Sequence, residues 1–333
     1  MKISVIGAGA IGSVVAAGLA KSGEEVLLVG HEDQVKAVQE KGLTIKRGGG
    51  DENVRLNAAR RLDREYDLVI FATKTQDIEQ AYSDNQEFLE NSLILTTQNG
   101  VQADNILSHH FDPVMMISSI VMFGATYTKP GEVTFNFPGD WIIGKPYTPN
   151  DGRLRGAVEI LRKAFPVVVS DDIMGMKWLK LFVNFNNCIP ALIGKSMQET
   201  FSDLAFCKLS VMLLKEGLQI VQGSGVKLVS LPQFPVERVL GLSAMPLDQA
   251  AGIINKTLTT LSKEPLYGSI LQSILRHKAS EIDFINGEVT QVAKSLRMDS
   301  PLNDKVVRMV HEVEETEKFF TPEVVKQEFN LIG

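Results

Sequence analysis

The chain has 333 residues, a formal net charge of −6 and no long basic run, which argues against an extended nucleic-acid-binding surface and leaves room for two domains with buried cores. Apolar residues make up 44% and charged residues 22%, the balance of a soluble globular protein, and no apolar run reaches the length of a membrane span. Two cysteines, Cys188 and Cys207, exclude a disulfide framework and suit a reducing, cytoplasmic setting, and five histidines without ligand spacing give no reason to expect a metal.

Lys2–Ile6 is predicted as a strand and Ala10–Lys21 as a helix. A secretory signal is the competing reading of this start, but Gly7, Gly9 and Gly12 interrupt the apolar run and a second strand, Glu25–Val29, continues the pattern. A helix at Asp33–Lys41 follows, then two short strands, Leu43–Lys46 and Asn53–Asn57, around the Gly48-Gly49-Gly50 turn. Leu68–Ala72 and Leu93–Thr97 are apolar runs of buried-strand length separated by helical Gln76–Glu90, and Val114–Met122 is another such run. Turn signals at Pro130-Gly131 and Pro138-Gly139 predict short antiparallel strands at the sheet's edge. A helix at Arg153–Ala164 and a strand at Val167–Val169 close the first half. From Asp172 onward helical periodicity dominates, broken near Leu231-Pro232, Met245-Pro246 and Glu264-Pro265. The expected fold is α/β: a doubly wound sheet domain at 1–170, then an all-helical domain at 171–333.

The first turn carries Gly7-Ala8-Gly9-Ala10-Ile11-Gly12 between a strand and a helix. In a Rossmann-type fold the first glycine permits the tight turn, the second lets the backbone approach a pyrophosphate, and the third lets the helix pack on the sheet. The helix start supplies free N–H groups to the anion. Gly7, Gly9, Ala10, Ile11 and Gly12 are therefore cofactor-binding candidates; a glycine turn that merely packs helix on strand is the alternative. NAD binders place a carboxylate at the end of the second strand. Gly30 stands there, followed by His31, which favours NADP, although an imidazole is a weaker partner for a 2′-phosphate than arginine.

Thr73-Lys74 and Gln98-Asn99-Gly100 follow strands at the edge where ligands of open α/β sheets gather, a solvated loop and a simple turn being the plainer readings. In Met176–Asn187, Lys180 shares a helical face with Met176 and Asn184, while Lys177 faces a neighbouring direction. Surface lysines snorkelling from a buried helix are the alternative. Glu281 reads by itself as a helix-start carboxylate with Ser280 as its N-cap.

Gly7–Gly12, Ala72-Thr-Lys-Thr-Gln-Asp77, Thr96-Thr-Gln-Asn-Gly-Val101, Lys177-Trp-Leu-Lys-Leu-Phe-Val-Asn184 and Ser280-Glu-Ile-Asp-Phe-Ile-Asn-Gly287, in this order, make the chain resemble the ketopantoate reductase (2-dehydropantoate 2-reductase) family over essentially its full length. The resemblance implies a Rossmann domain, a helical domain, an active site in the cleft between them, and NADPH-dependent reduction of a 2-oxo acid, the step that makes pantoate for pantothenate and coenzyme A. Lys180 matches the family's catalytic lysine and Glu281 the carboxylate that works with it. Asn184, Asn99 and Ser269 match substrate-binding positions, and Lys74 and Asn99 cofactor positions. The family occurs as monomers and homodimers. Three positions depart from its pattern: His31 stands for an arginine, Cys188 for a second asparagine, and Ser273 for an aspartate, the last two in the region expected to hold substrate. A related dehydrogenase acting on a different 2-oxo acid, or a dinucleotide-binding regulator without turnover, are the rival readings.

Overall fold

The computed structural model describes residues 1–262 and 264–331, which divide into two compact units, Met1–Met174 and Gly175–Gly333. The first unit holds β1 (Lys2–Ile6), β2 (Glu25–Val29), β3 (Leu43–Lys46), β4 (Glu52–Val54), β5 (Asn57–Ala59), β6 (Leu68–Phe71), β7 (Leu93–Thr96), β8 (Met116–Val121), β9 (Gly124–Lys129), β10 (Glu132–Phe137), β11 (Trp141–Gly144) and β12 (Val167–Val169). Its helices are α1 (Ala10–Lys21), α2 (Glu32–Lys41), α3 (Ile78–Ser83), α4 (Gln102–Ser108) and α5 (Gly152–Leu161).

The main sheet has the order β12-β11-β8-β7-β6-β1-β2-β5. From β5 to β8 every pairing is parallel, and the winding reverses at β1/β6. The strands are apolar at nearly every position because both faces are buried. On one face Val5, Leu28 and Ile70 join Val15 and Leu19 of α1; on the other, Leu27, Val69 and Phe71 join Ile78, Ala103 and Leu107. Successive side chains point to opposite faces, so two cores grow from the same short strands.

The order of the elements is as predicted, with three differences in detail. Asn53–Asn57 is not one strand: β4 pairs antiparallel with β3, β5 pairs parallel with β2, and the chain changes sheets between them. Gln76–Glu90 is not one helix. The Asn85 amide donates to Ala81 O at 2.7 Å and its Oδ1 accepts from Leu62 N at 2.7 Å, so the side chain competes for the helix's own carbonyl and ends it. The strands after Phe123 do not all extend the sheet edge. β9 and β10 join β3 and β4 in a separate four-stranded sheet, where Val133, Tyr127 and Phe135 pack into the α1-side core. Of β9, β10 and β11, the last alone enters the main sheet, antiparallel to β8 and parallel to β12.

The second unit is helical: α6 (Ile173–Asn184), whose first two residues belong to the first unit, α7 (Cys188–Ile193), α8 (Met197–Phe201), α9 (Leu204–Gly223), α10 (Val236–Ala244), α11 (Leu247–Thr259), α12 (Ser269–Ile274), α13 (Asn286–Leu296), α14 (Pro301–Thr316) and α15 (Pro322–Glu328). Long α9 is the central post, touching α8, α10, α11, α13 and α14. It buries Leu209, Leu213, Leu218 and Val221, and its Glu216 accepts the Leu302 and Asn303 N–H groups at the start of α14, at 3.0 and 2.8 Å. Among the described residues no helix is long and apolar enough to cross a membrane.

Candidate active site

The glycine turn sits at the reversal point of the sheet. Gly7 has φ +114°, and a Cβ there would lie 2.5 Å from Ala72 C and Thr73 N, so the strand cannot turn here with any side chain. Gly12 is just as constrained, because its Cβ would sit 1.9 Å from Gly7 O. Gly9 is different. It is exposed, its backbone is extended at φ −78°, and a Cβ would meet nothing within 4 Å. Nothing in the chain's own packing requires glycine at this helix N-cap. The first turn of α1 has neither a side-chain cap nor an acidic residue, so its N–H groups stay available to an anion. The space above Gly9 thus fits the close approach of a dinucleotide pyrophosphate. Ala10 and Ile11, both half-buried, lead the helix beside it. His31 is the exposed N-cap of α2 and makes no side-chain cap bond.

Lys74 and Asn99 emerge from the ends of the adjacent parallel strands β6 and β7. The buried side chain between them, Gln98, joins these ends: Nε2 donates to Phe71 O at 3.0 Å and Thr73 O at 2.9 Å, and Oε1 accepts from Thr97 N at 3.0 Å. Gly100, with φ +76°, then turns the chain towards α4. The loop is therefore a turn and also a braced platform that presents Asn99. Sequence reasoning placed Gln98 beside the site without seeing this role, since a buried glutamine in a loop shows no periodicity.

In the second unit α6 carries Lys180 and Asn184 one turn apart, about 6 Å along the helix. Leu179, Leu181 and Phe182 are buried and hold the helix in place. Lys180 is half-buried, and burial lowers its ammonium's pKa below the ordinary lysine value. Lys177 is the more deeply placed of the two, only 2% exposed. It is not a snorkelling surface lysine.

Past Asn184 the helix does not run on. Pro190 has no N–H to return to the Asn186 carbonyl four residues back and would clash with it, and a 3-10 turn at Phe185–Asn187 separates α6 from α7. The turn rotates Cys188 inward. Cys188 is fully buried, its Sγ donates to Phe185 O at 3.0 Å, and burial pushes the thiol up to about 12. Cys188 packs the core as a small buried thiol and does not face the region expected to hold substrate. Its neighbour Asn187 comes out instead, and Asn187 Nδ2 donates to Ser269 Oγ at 3.5 Å. Gly268 leaves room for that contact, because a Cβ there would lie 2.6 Å from Asn187 Oδ1. Ser269 is exposed and Ser273 half-buried, one turn apart on α12.

Glu281 is half-buried and does not start a long helix. A short 3-10 turn, Ile282–Phe284, follows it, and α13 begins at Asn286. Ser280 still caps locally, its Oγ accepting from Ile282 N at 3.3 Å. The segment is tied to α14: Ser280 N donates to Glu314 Oε1 at 2.7 Å, and His311 bridges Asp283 and Glu314, 2.9 Å from each.

Two family models match the chain, "Ketopantoate reductase PanE/ApbA" over residues 3–147 and "Ketopantoate reductase PanE/ApbA C terminal" over residues 172–314. The chain is similar to the 2-dehydropantoate 2-reductase of Pyrococcus abyssi, 29% identical over 306 residues that cover 91% of this chain and 94% of that protein. It is also similar to that of Archaeoglobus fulgidus, 24% identical over 320 residues that cover 94% and 98%. Among solved structures, the PanE/ApbA family ketopantoate reductase of Ralstonia eutropha JMP134 superposes with TM-score 0.80 at 25% identity, covering 95% of this chain and 99% of that one. A D-mandelate dehydrogenase in ternary complex with NADH and anilino(oxo)acetate has the same fold, with TM-score 0.81 at 22% identity over 95% and 99%. With both halves matched in order, this chain belongs to the ketopantoate reductase family of oxidoreductases.

Proposed function

We propose that the protein reduces a 2-oxo acid to the 2-hydroxy acid with NADPH, and that its substrate is 2-dehydropantoate (ketopantoate), giving pantoate for pantothenate and coenzyme A synthesis. The observation that carries the reading is Lys180: a half-buried lysine whose ammonium is destabilised by burial, one helical turn from the Asn184 amide. When bound, the nicotinamide supplies a hydride to the substrate's C2. The chain's residues then deal with the charge that appears on the former carbonyl oxygen. Lys180 donates a proton to that oxygen as the C–H bond forms, and the neutral amine left behind is reprotonated from solvent. A lowered pKa makes the ammonium the stronger acid and so eases the donation, while the amine still takes up a proton wherever the pH does not exceed that lowered value. Asn184, Asn187 and Ser269 hold the carboxylate and hydroxyl groups of the substrate in register, and Glu281 orients the acid and the lysine. Gly7, Gly9, Ala10, Ile11 and Gly12 hold the pyrophosphate, with Lys74 and Asn99 on the remainder of the nucleotide.

Asn187 bears on substrate identity. It brings an amide to Ser269 where Cys188 alone would have left none, which favours a substrate with a hydroxyl group such as ketopantoate. The second reading is a 2-oxo acid with an apolar side chain, favoured by Ser273 and by the likeness of fold to a D-mandelate dehydrogenase.

The test is Lys180→Met beside Lys177→Met. Loss of the proton donor is expected to lower kcat by ~10²–10⁴, with cofactor affinity kept. Lys177→Met is expected to lower thermal stability and leave kcat within about tenfold, as befits a buried side chain away from the reacting atoms. Equal, mild effects of both on kcat would refute the assignment.

A further inference from the structure

The end of β2 cannot carry a side chain. A Cβ on Gly30 would lie 2.5 Å from the Ala8 side chain, so the ribose-reading carboxylate common at this position has no place in this chain. Its neighbours must read the adenosine end. β5 runs parallel beside β2 with Ala59 opposite Val29, and Gly30 N donates to Ala59 O at 3.1 Å. Arg60 therefore leaves the sheet alongside residues 31 and 32. Its Nη1 lies 3.3 Å from Glu32 Oε2, and the two side chains are 70% and 78% exposed. The next residue, Arg61, turns to Asp84, with Nη2 3.2 Å from Oδ1.

We propose that Arg60, rather than residue 31, is the group that selects a 2′-phosphorylated adenosine, and that Glu32 is its built-in competitor. This rests on the dinucleotide reading of the glycine turn. A guanidinium offers paired N–H donors matched to phosphate oxygens. The doubly charged phosphate displaces a singly charged, exposed carboxylate from it, since an exposed ion pair is weak. Without the phosphate, Arg60 stays on Glu32, and the unphosphorylated ribose gains nothing from it. The selectivity of this chain for NADP over NAD is then set at the end of β5, a strand away from where the fold usually sets it.

The experiment is calorimetric titration of the full chain with 2′,5′-ADP and 5′-AMP, which reports binding without turnover. Arg60→Ala is expected to weaken 2′,5′-ADP by roughly 10- to 100-fold, the worth of one or two charge-assisted bonds, and 5′-AMP by less than about threefold. Glu32→Gln is expected to tighten 2′,5′-ADP by about two- to fivefold. Arg61→Ala removes the same charge from the same dipeptide and is expected to change the selectivity ratio by less than about twofold. Unchanged selectivity in Arg60→Ala, an equal loss in Arg61→Ala, or a loss confined to His31→Ala would overturn the proposal. Wild-type protein that binds neither nucleotide would overturn the dinucleotide reading itself, a failure visible before any variant is made.

Discussion

Substituting Gly9 and Gly12 by alanine separates binding from folding within one turn. At Gly12 the added Cβ would sit 1.9 Å from Gly7 O, a backbone atom that cannot move without shifting the end of β1. Overpacking of this kind costs at least ~1–3 kcal/mol, and the backbone shift puts the cost at the upper end or beyond. At Gly9 the Cβ meets nothing within 4 Å and φ is −78°, so alanine fits without strain. Losing glycine at an N-cap and restricting the unfolded chain are opposed terms, each under about 1 kcal/mol, so stability should barely change. On the proposed reading the same methyl group occupies the space where a pyrophosphate would meet the helix N-terminus. Displacing it by an ångström or more forfeits charge-assisted N–H bonds, worth roughly 10- to 100-fold in affinity. Thermal denaturation and nucleotide titration on both variants read the two effects. Gly9→Ala with wild-type affinity would refute the assignment of this turn to the cofactor. Gly12→Ala with wild-type stability would refute the packing argument.

Other expectations follow from the second unit. Asn187→Ala should raise KM for the oxo acid by about tenfold with a smaller effect on kcat, the mark of a lost binding contact; steady-state kinetics decide, and an unchanged KM would remove Asn187 from the site. Cys188 should resist thiol reagents in the native state, being fully buried with its thiol pushed up to about 12, and react only on denaturation; rapid labelling of folded protein would contradict this. Burial pulls the His311 pKa down, but its bonds to Asp283 and Glu314 outweigh that and raise it above its ordinary 6.5. Its contribution to stability should therefore be fully present below that value and fade as pH rises through the raised one. The melting temperature of wild type should fall over that range more than that of His311→Gln; parallel curves would show that the bridge contributes nothing.

Much of the fold was legible because its signals are local and strong. The glycine turn, the apolar runs at Leu68–Phe71 and Leu93–Leu95, and the helical periodicity after Asp172 each follow from side-chain spacing. The misread pieces depend on contacts between distant residues. Nothing near Asn85 announces that it will take the Leu62 N–H, and nothing in the Gly124–Phe137 hairpin announces that its apolar face will close over α1. In the candidate site, residue types were legible and register was not. Counting helical turns from Asn184 puts Cys188 on the polar face; Pro190, already visible in the chain, was the sign that the helix must break first. Gln98 and Arg60 were unreadable for a related reason, since each acts through a strand neighbour that only the folded sheet supplies.

The most direct test of the account is the oxidation of NADPH and of NADH, followed by absorbance at the reduced-nicotinamide band, with purified protein and ketopantoate, repeated with phenylglyoxylate, the oxo acid that corresponds to mandelate. The account predicts oxidation that depends on the oxo acid, fastest with NADPH and ketopantoate. No oxidation with either oxo acid, by protein that binds the nucleotide, would contradict it.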